Sequence, residues 1–130
     1  MKVWIYSRLS NDDDCEMNSL LNQQEICLTF TERQGYQMIG QSSDDNASGM
    51  NFSRRGLDEL TAAVDAGRLD AVLVKDLSRL GRHRTQTALF IDYLRERGVR
   101  VVSVTEGLDT TSDEDDLVIG VRGLMNDYYA

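Results

Sequence analysis

The chain has 130 residues, enough for one domain that buries roughly two-thirds of its unfolded surface. A hydrophobic fraction of 41% and a charged fraction of 28%, with no apolar run of membrane-spanning length, predict a soluble globular protein and exclude disordered, fibrous and membrane-embedded classes. The net charge of -8 argues against a chain that coats nucleic acid by itself, because Lys and Arg neutralising phosphates dominate such affinity. The opening MKVWIYSRLS lacks a basic region followed by a signal-like apolar stretch, which makes the cytoplasm the expected compartment, with no membrane partner. Cys15 and Cys27 are too far apart for CxxC chemistry and have one histidine, His83, to join them; two free thiols are expected rather than a zinc site.

In chain order, residues 2–6 (KVWIY) read as a strand that opens an alternation of strand-like and helix-like segments. A helix starts near Ser19, carries Leu20, Ile26, Cys27 and Phe30 inward and ends at Gly35, and a strand follows over 36–41. The polar run 42–53 (SSDDNASGMNFS) predicts a long loop. Ser53 is placed to cap the next helix, in which Leu57, Leu60 and Val64 recur at helical spacing up to Gly67. The continuous apolar run in DAVLVKDL suits a strand buried on both faces. An amphipathic helix after Thr85, with Leu89, Phe90, Tyr93 and Leu94, ends at Gly98 and leads to the strand 99–104. A last helix begins at Thr111 or Ser112, with Asp113 to Asp116 in its first turn, where the helix dipole favours negative charge. Its apolar face is Leu117, Val118, Val121, Leu124, Met125 and Tyr128, and the sequence stops at Ala130 without a cap, as though cut inside the helix. The expected architecture is α/β: a mostly parallel central sheet of four to five strands, helices on both faces, then the start of a long C-terminal helix.

Arginine outnumbers lysine twelve to two, and Arg54, Arg55, Arg79, Arg82 and Arg84 fall in two short clusters. Three segments offer polar groups where an open parallel sheet binds its ligands, beyond the carboxyl ends of strands. They are Tyr6 to Ser10, Lys75 to Arg82, and the loop ending in Ser53, Arg54 and Arg55. Arg79 and Arg82 are three apart, so a helical turn puts both guanidiniums on one side. With Arg8 and Arg54 they can converge near serine hydroxyls and stabilise a pentacoordinate phosphoryl transition state, which needs pre-positioned positive charge. Serine is a poor nucleophile unless its proton is drawn away or its alkoxide stabilised, and no base is obvious; His83 reads as a solvated turn residue. Ser7 and Ser10 are both open as the reacting hydroxyl on these grounds. Singly, such serines and arginines are more often turn formers and solvated charges, and only their convergence favours catalysis. The competing reading is a non-enzymatic anion-binding or receiver-like regulatory domain. Asp12, Asp13 and Asp14 follow the first strand as a receiver requires, but Lys75 and Asp76 both follow the third.

At these residues the chain resembles the serine recombinases, the resolvase and invertase family of site-specific DNA recombinases. YSRLS is similar to the family's Y-x-R-x-S motif, which implies Ser10 as nucleophile and Arg8 as its active-site partner. SLLNQQ resembles the segment carrying an active-site glutamine, here Gln23. DNASGMNFSRRGL resembles the loop that implies an active-site arginine at Arg54 and a loop aspartate at Asp45. VKDLSRLGR resembles the signature with two catalytic arginines, Arg79 and Arg82, except that Ser78 stands where small resolvases have aspartate. Asp45, Ser78 and Tyr6 are thus supporting candidates. Ser78 and the longer gap between Ser10 and Gln23 are more like the large serine recombinases, the integrases and transposases of mobile elements. The resemblance implies residues 1–130 to be a resolvase-type catalytic domain truncated in its last helix, with the family's DNA-binding domains missing. It also implies double-stranded DNA as substrate, a dimer and a synaptic tetramer, and neither metal nor nucleotide cofactor.

Overall fold

The computed structural model describes residues 1–10, 19–46, 54–81 and 83–110. The elements are β1 (Lys2–Ser10), α1 (Leu20–Gln34), β2 (Gln37–Asn46), α2 (Arg55–Asp65), β3 (Ala71–Val74), a 3-10 turn (Leu77–Leu80), α3 (Arg84–Glu96), β4 (Arg100–Ser103) and β5 (Leu108–Asp109). The sheet order is β2-β1-β3-β4-β5. The first four strands are parallel, and β5 is a short antiparallel addition to β4. This is the expected α/β arrangement, with α1 on one face and α2 and α3 on the other. The expected C-terminal helix and the run Asp113 to Asp116 lie outside the described residues. Among the described residues no helix is long and apolar enough to cross a membrane.

Local chemistry explains each boundary. All four side chains of β3, Ala-Val-Leu-Val, are fully buried, because helices cover both faces of the sheet there. Burying each of the larger ones contributes at most about 1.5–3 kcal/mol. The Ser19 hydroxyl accepts from the Asn22 amide at 3.0 Å and starts α1, and Gly35 ends it at φ 70°, in the left-handed region where a side chain is disfavoured.

Several boundaries differ from those read in the sequence. The first strand runs through Ser10, and the second through Asn46, where a loop was expected from residue 42. β2 is an edge strand in the described sheet, bonded only to β1, so it needs few apolar residues; its inward positions Ser42, Asp44 and Asn46 are polar and partly or fully buried. The sheet-facing row of α1 is Gln23, Cys27 and Thr31, four residues apart, while Leu20, Ile26 and Phe30 are only partly buried. On α3 the buried row is Thr87, Ile91 and Leu94, and Leu89 is 63% exposed. β5 carries no sequence signal beyond its two residues.

The order reverses at β1: the chain goes from β1 to β2 on one side and later to β3 and β4 on the other. β1 pairs with β3 only over Val3, Trp4 and Ile5, yet stays paired with β2 to its end, Ser10 opposite Asn46. The carboxyl half of β1 therefore projects past β3 with one edge unserved by sheet bonding, at the crevice where open α/β sheets take ligands.

Candidate active site

That unserved edge is completed by side chains. Gln23, fully buried, acts as a one-residue substitute strand: its Oε1 accepts from the Arg8 amide at 3.1 Å, and its Nε2 donates to the Arg8 carbonyl at 2.9 Å. Arg79 Nη1 donates to the same carbonyl at 2.8 Å. The guanidinium of Arg8 reciprocates, with Nη2 donating to the carbonyls of Ser78 and, at 2.9 Å, Gly81. Each arginine thus ties down the backbone that carries the other. Charge-assisted bonds of this kind are about twice as strong as neutral ones, and they fix the separation of two cations that repel each other.

The 3-10 turn bearing Arg79 begins at Asp76. The Asp76 carboxylate accepts from the Ser78 amide at 3.1 Å and from the Ser78 hydroxyl, and it pairs with Arg79 Nη2 at 3.3 Å. Arg79 is only 4% exposed, and its pairing makes that burial tolerable. Ser78 is exposed and its hydroxyl is engaged by Asp76. His83 is also exposed, as expected of a solvated residue, and in addition caps α3: its Nδ1 accepts from the Gln86 amide.

On the other side of β1, Tyr6 donates its phenol to Asp44 at 2.7 Å. Asp44, 2% exposed, also accepts from the Gly56 amide at 2.8 Å and the Leu57 amide at 3.0 Å. Arg54 stands at the N-cap of α2 without a side-chain cap bond, so a carboxylate from β2 caps this helix. Ser53, the expected cap, lies outside the described residues. Gly56 makes the approach possible: a Cβ there would lie 2.5 Å from the Ser43 carbonyl oxygen. Burial first, then the Asp44 carboxylate, pushes the Tyr6 phenol far above the usual tyrosine range, so Tyr6 stays a protonated donor.

The two systems meet in a groove of about 680 Å³ on the α2 and α3 face, lined by Tyr6, Arg8, Asp44, Arg54 and Arg79 together with apolar side chains such as Phe90. Arg54, Arg8 and Arg79, proposed from sequence to converge, share this groove. Arg82 lies outside the described residues. Ser10 is partly exposed at the end of β1, and strand alternation puts it on the face of Tyr6 and Arg8. Ser7 faces the opposite way and is fully buried, with no hydrogen-bond partner for its hydroxyl among the described residues. Asp45 is exposed, while its neighbour Asp44 is buried and bonds Tyr6 and Gly56. Sequence reasoning missed Asp44 because the polar run was read as loop; the alternation Ser42, Asp44, Asn46 was the available signal. Cys27, fully buried on the sheet-facing side of α1, has its thiol pushed up to about 12 by burial and, less, by Asp76, which makes it inert near neutral pH.

Chemically, three arginines lining one groove suit an anionic group such as a phosphodiester, and the partly exposed Ser10 hydroxyl stands on the same face of β1 at the strand end. The sequence pattern of the family described as "Resolvase, N terminal domain" matches residues 3–130. The chain is 36% identical over 77 residues to the transposon Tn3 resolvase of Escherichia coli, a match covering 59% of this chain and 40% of that protein. It is 28% identical over 120 residues to the DNA-invertase of Escherichia phage P1, covering 92% and 58%. The chain therefore spans well under two-thirds of these relatives' length. Among solved structures, the N-terminal catalytic domain of TP901-1 integrase superposes with a TM-score of 0.77 at 25% identity, over 99% of this chain and 96% of that one. A resolvase family site-specific recombinase from Streptococcus pneumoniae gives 0.81 at 23% identity, over 99% and 88%, a likeness of fold.

Proposed function

Because the chain belongs to the family of resolvase N-terminal domains, we propose that it is the catalytic domain of a serine-type site-specific recombinase acting on double-stranded DNA. The observation that carries this reading is the single groove shared by Arg8, Arg54 and Arg79 on the face of β1 that also carries Ser10. In the proposed reaction the Ser10 hydroxyl loses its proton and its oxygen attacks a backbone phosphorus. The bond to the 3′ oxygen breaks, that oxygen leaves and takes up a proton, and a 5′-phosphoserine link remains. One phosphoester replaces another, so the bond energy is kept for rejoining when a 3′-hydroxyl from another strand attacks in reverse.

Arg8 and Arg79, with Arg82, hold the non-bridging phosphate oxygens as charge builds on them. Arg54 approaches from the start of α2, and Gln23 keeps the Arg8 segment extended. Tyr6 acts through Asp44 on the placement of Arg54, while Asp45 and Ser78 support the rim. A net charge of -8 leaves affinity and sequence choice to contacts beyond this domain, and assembly as a dimer and then a synaptic tetramer supplies the second pair of strands. This reading fits the integration, excision or transposition of a mobile element, in the cytoplasm, and requires no metal or nucleotide cofactor.

The experiment incubates full-length protein with supercoiled plasmid carrying the DNA that flanks its gene. A protein-DNA adduct that resists detergent and is destroyed by protease is expected, and Ser10→Ala abolishes it. Retention of the adduct in Ser10→Ala with its loss in Ser7→Ala overturns the assignment.

A further inference from the structure

The turn that carries Arg79 is held from a second side, by a part of the chain outside every motif named above. After β4 the backbone folds over the end of β3. The Val104 amide donates to the Val74 carbonyl and the Thr105 amide to the Lys75 carbonyl, both at 3.0 Å, and the Thr105 hydroxyl adds a bond to Lys75 at 2.7 Å. Glu106 completes the bracket. Its Oε1 accepts from the Leu77 amide, the first of the 3-10 turn, at 2.7 Å, and from the Ser103 hydroxyl at 2.6 Å.

Two carboxylates therefore divide the work at this turn. Asp76 holds the Ser78 amide and the Arg79 guanidinium, whereas Glu106 holds the Leu77 amide and forms no ion pair with an arginine among the described residues. The Ser103 hydroxyl, fully buried, orients the Glu106 carboxylate, much as a partner on the far side fixes a functional side chain. A four-residue 3-10 turn has poor internal hydrogen-bond geometry, so its shape depends on such outside acceptors.

We infer that Glu106 is a positioning residue for the reaction: by accepting from the Leu77 amide it sets the start of the turn and thereby the reach of Arg79 toward the scissile phosphate. This rests on the reading of Arg79 as a phosphate-binding group. The link is mechanical, through three consecutive residues of backbone, and it runs through hydrogen-bond acceptance rather than charge. Glu106→Gln keeps an oxygen in place of Oε1, and Glu106→Ala removes it.

The test compares both variants in full-length protein on the plasmid described above, reading the rate of adduct formation and, separately, plasmid binding by gel shift. Glu106→Ala slows adduct formation by up to about 100-fold, the scale of a small misplacement of a catalytic group, with binding unchanged, and Glu106→Gln restores most of the rate. In an Arg79→Lys background, Glu106→Ala causes no further slowing. A wild-type rate in Glu106→Ala, an equal loss in Glu106→Gln, or full multiplicative losses in the double variant overturns the proposal. Nitrogen-15 spectra of the Leu77 amide and Arg79 Nε give an answer even if the wild-type protein forms no adduct. Both signals move in Glu106→Ala and stay near wild type in Glu106→Gln, and unmoved signals in Glu106→Ala overturn the inference. Absence of a wild-type adduct with moved signals overturns the proposed function alone.

Discussion

The two sides of the groove place their arginines by different means. Arg79 is 4% exposed and bound directly: to the Arg8 carbonyl, to Asp76, and through its turn to Glu106. Arg54 is exposed at the first turn of α2, and what is anchored is the backbone two and three residues later, where Gly56 and Leu57 donate to Asp44. One side is preorganised at the guanidinium; the other is preorganised at a pivot and leaves the guanidinium its reach. Under the proposed reaction the two arrangements complement each other, a fixed cation at the floor of the groove and an exposed one at its margin.

The contrast can be broken first at the pivot. Asp44→Ala orphans the Gly56 and Leu57 amides and the Tyr6 phenol together, for an expected loss of about 3–4 kcal/mol in urea unfolding, at about 1–3 kcal/mol per stranded group with partial relaxation. Asp44→Asn, which keeps one acceptor oxygen, loses less. Next is Gly56→Ala, whose Cβ meets the Ser43 backbone at 2.5 Å and pushes α2 away from β2, at about 1–3 kcal/mol by the same measurement. In both, the Arg79 Nε signal stays at its wild-type position; if it moves, the two sides are not independent.

On the anchored side, Gln23→Ala removes the buried partner of the half-buried Arg8 amide and carbonyl and costs about 1–3 kcal/mol, with the larger change expected in adduct rate. Alkaline titration follows. The folded-state pKa values of Tyr6 and Cys27 are both raised, so their protonated forms favour the folded state. The stability they support is full below the unfolded-state values, and it declines as pH rises from about 9 for the thiol and about 10 for the phenol. Melting temperature should fall over that window, and Cys27→Ala should flatten the part between pH 9 and about 12. The smallest effect is expected at an exposed ion pair beside Tyr93, at the groove's outer margin. Arg97 bonds Asp65 at 3.1 Å and covers the Tyr93 ring in solvent, and Arg97→Ala should leave the urea midpoint and adduct rate unchanged.

The sequence made the order of elements, the cap at Gly35 and the buried β3 legible, because each depends on neighbours along the chain. YSRLS and VKDLSRLGR likewise carried enough residues at fixed spacing to mark their segments. What escaped depended on distant partners. Gln23 was named from resemblance, but its role as a substitute strand follows only from β3 being too short to serve Arg8. Asp44 was passed over for Asp45 because a polar edge strand has the composition of a loop. Glu106 sits in a turn whose importance comes from 29 residues upstream.

That polar edge strand has a consequence for handling the protein in solution. An open strand edge is a template on which another chain can add, and long apolar edges nucleate aggregates. β2 offers Gln37, Gln41 and Asp45 as exposed residues, and its large apolar side chains are confined to Met38 and Ile39 near the start. Among the described residues this margin of the sheet is therefore polar along most of its length, which makes it a poor seed for edge-to-edge stacking.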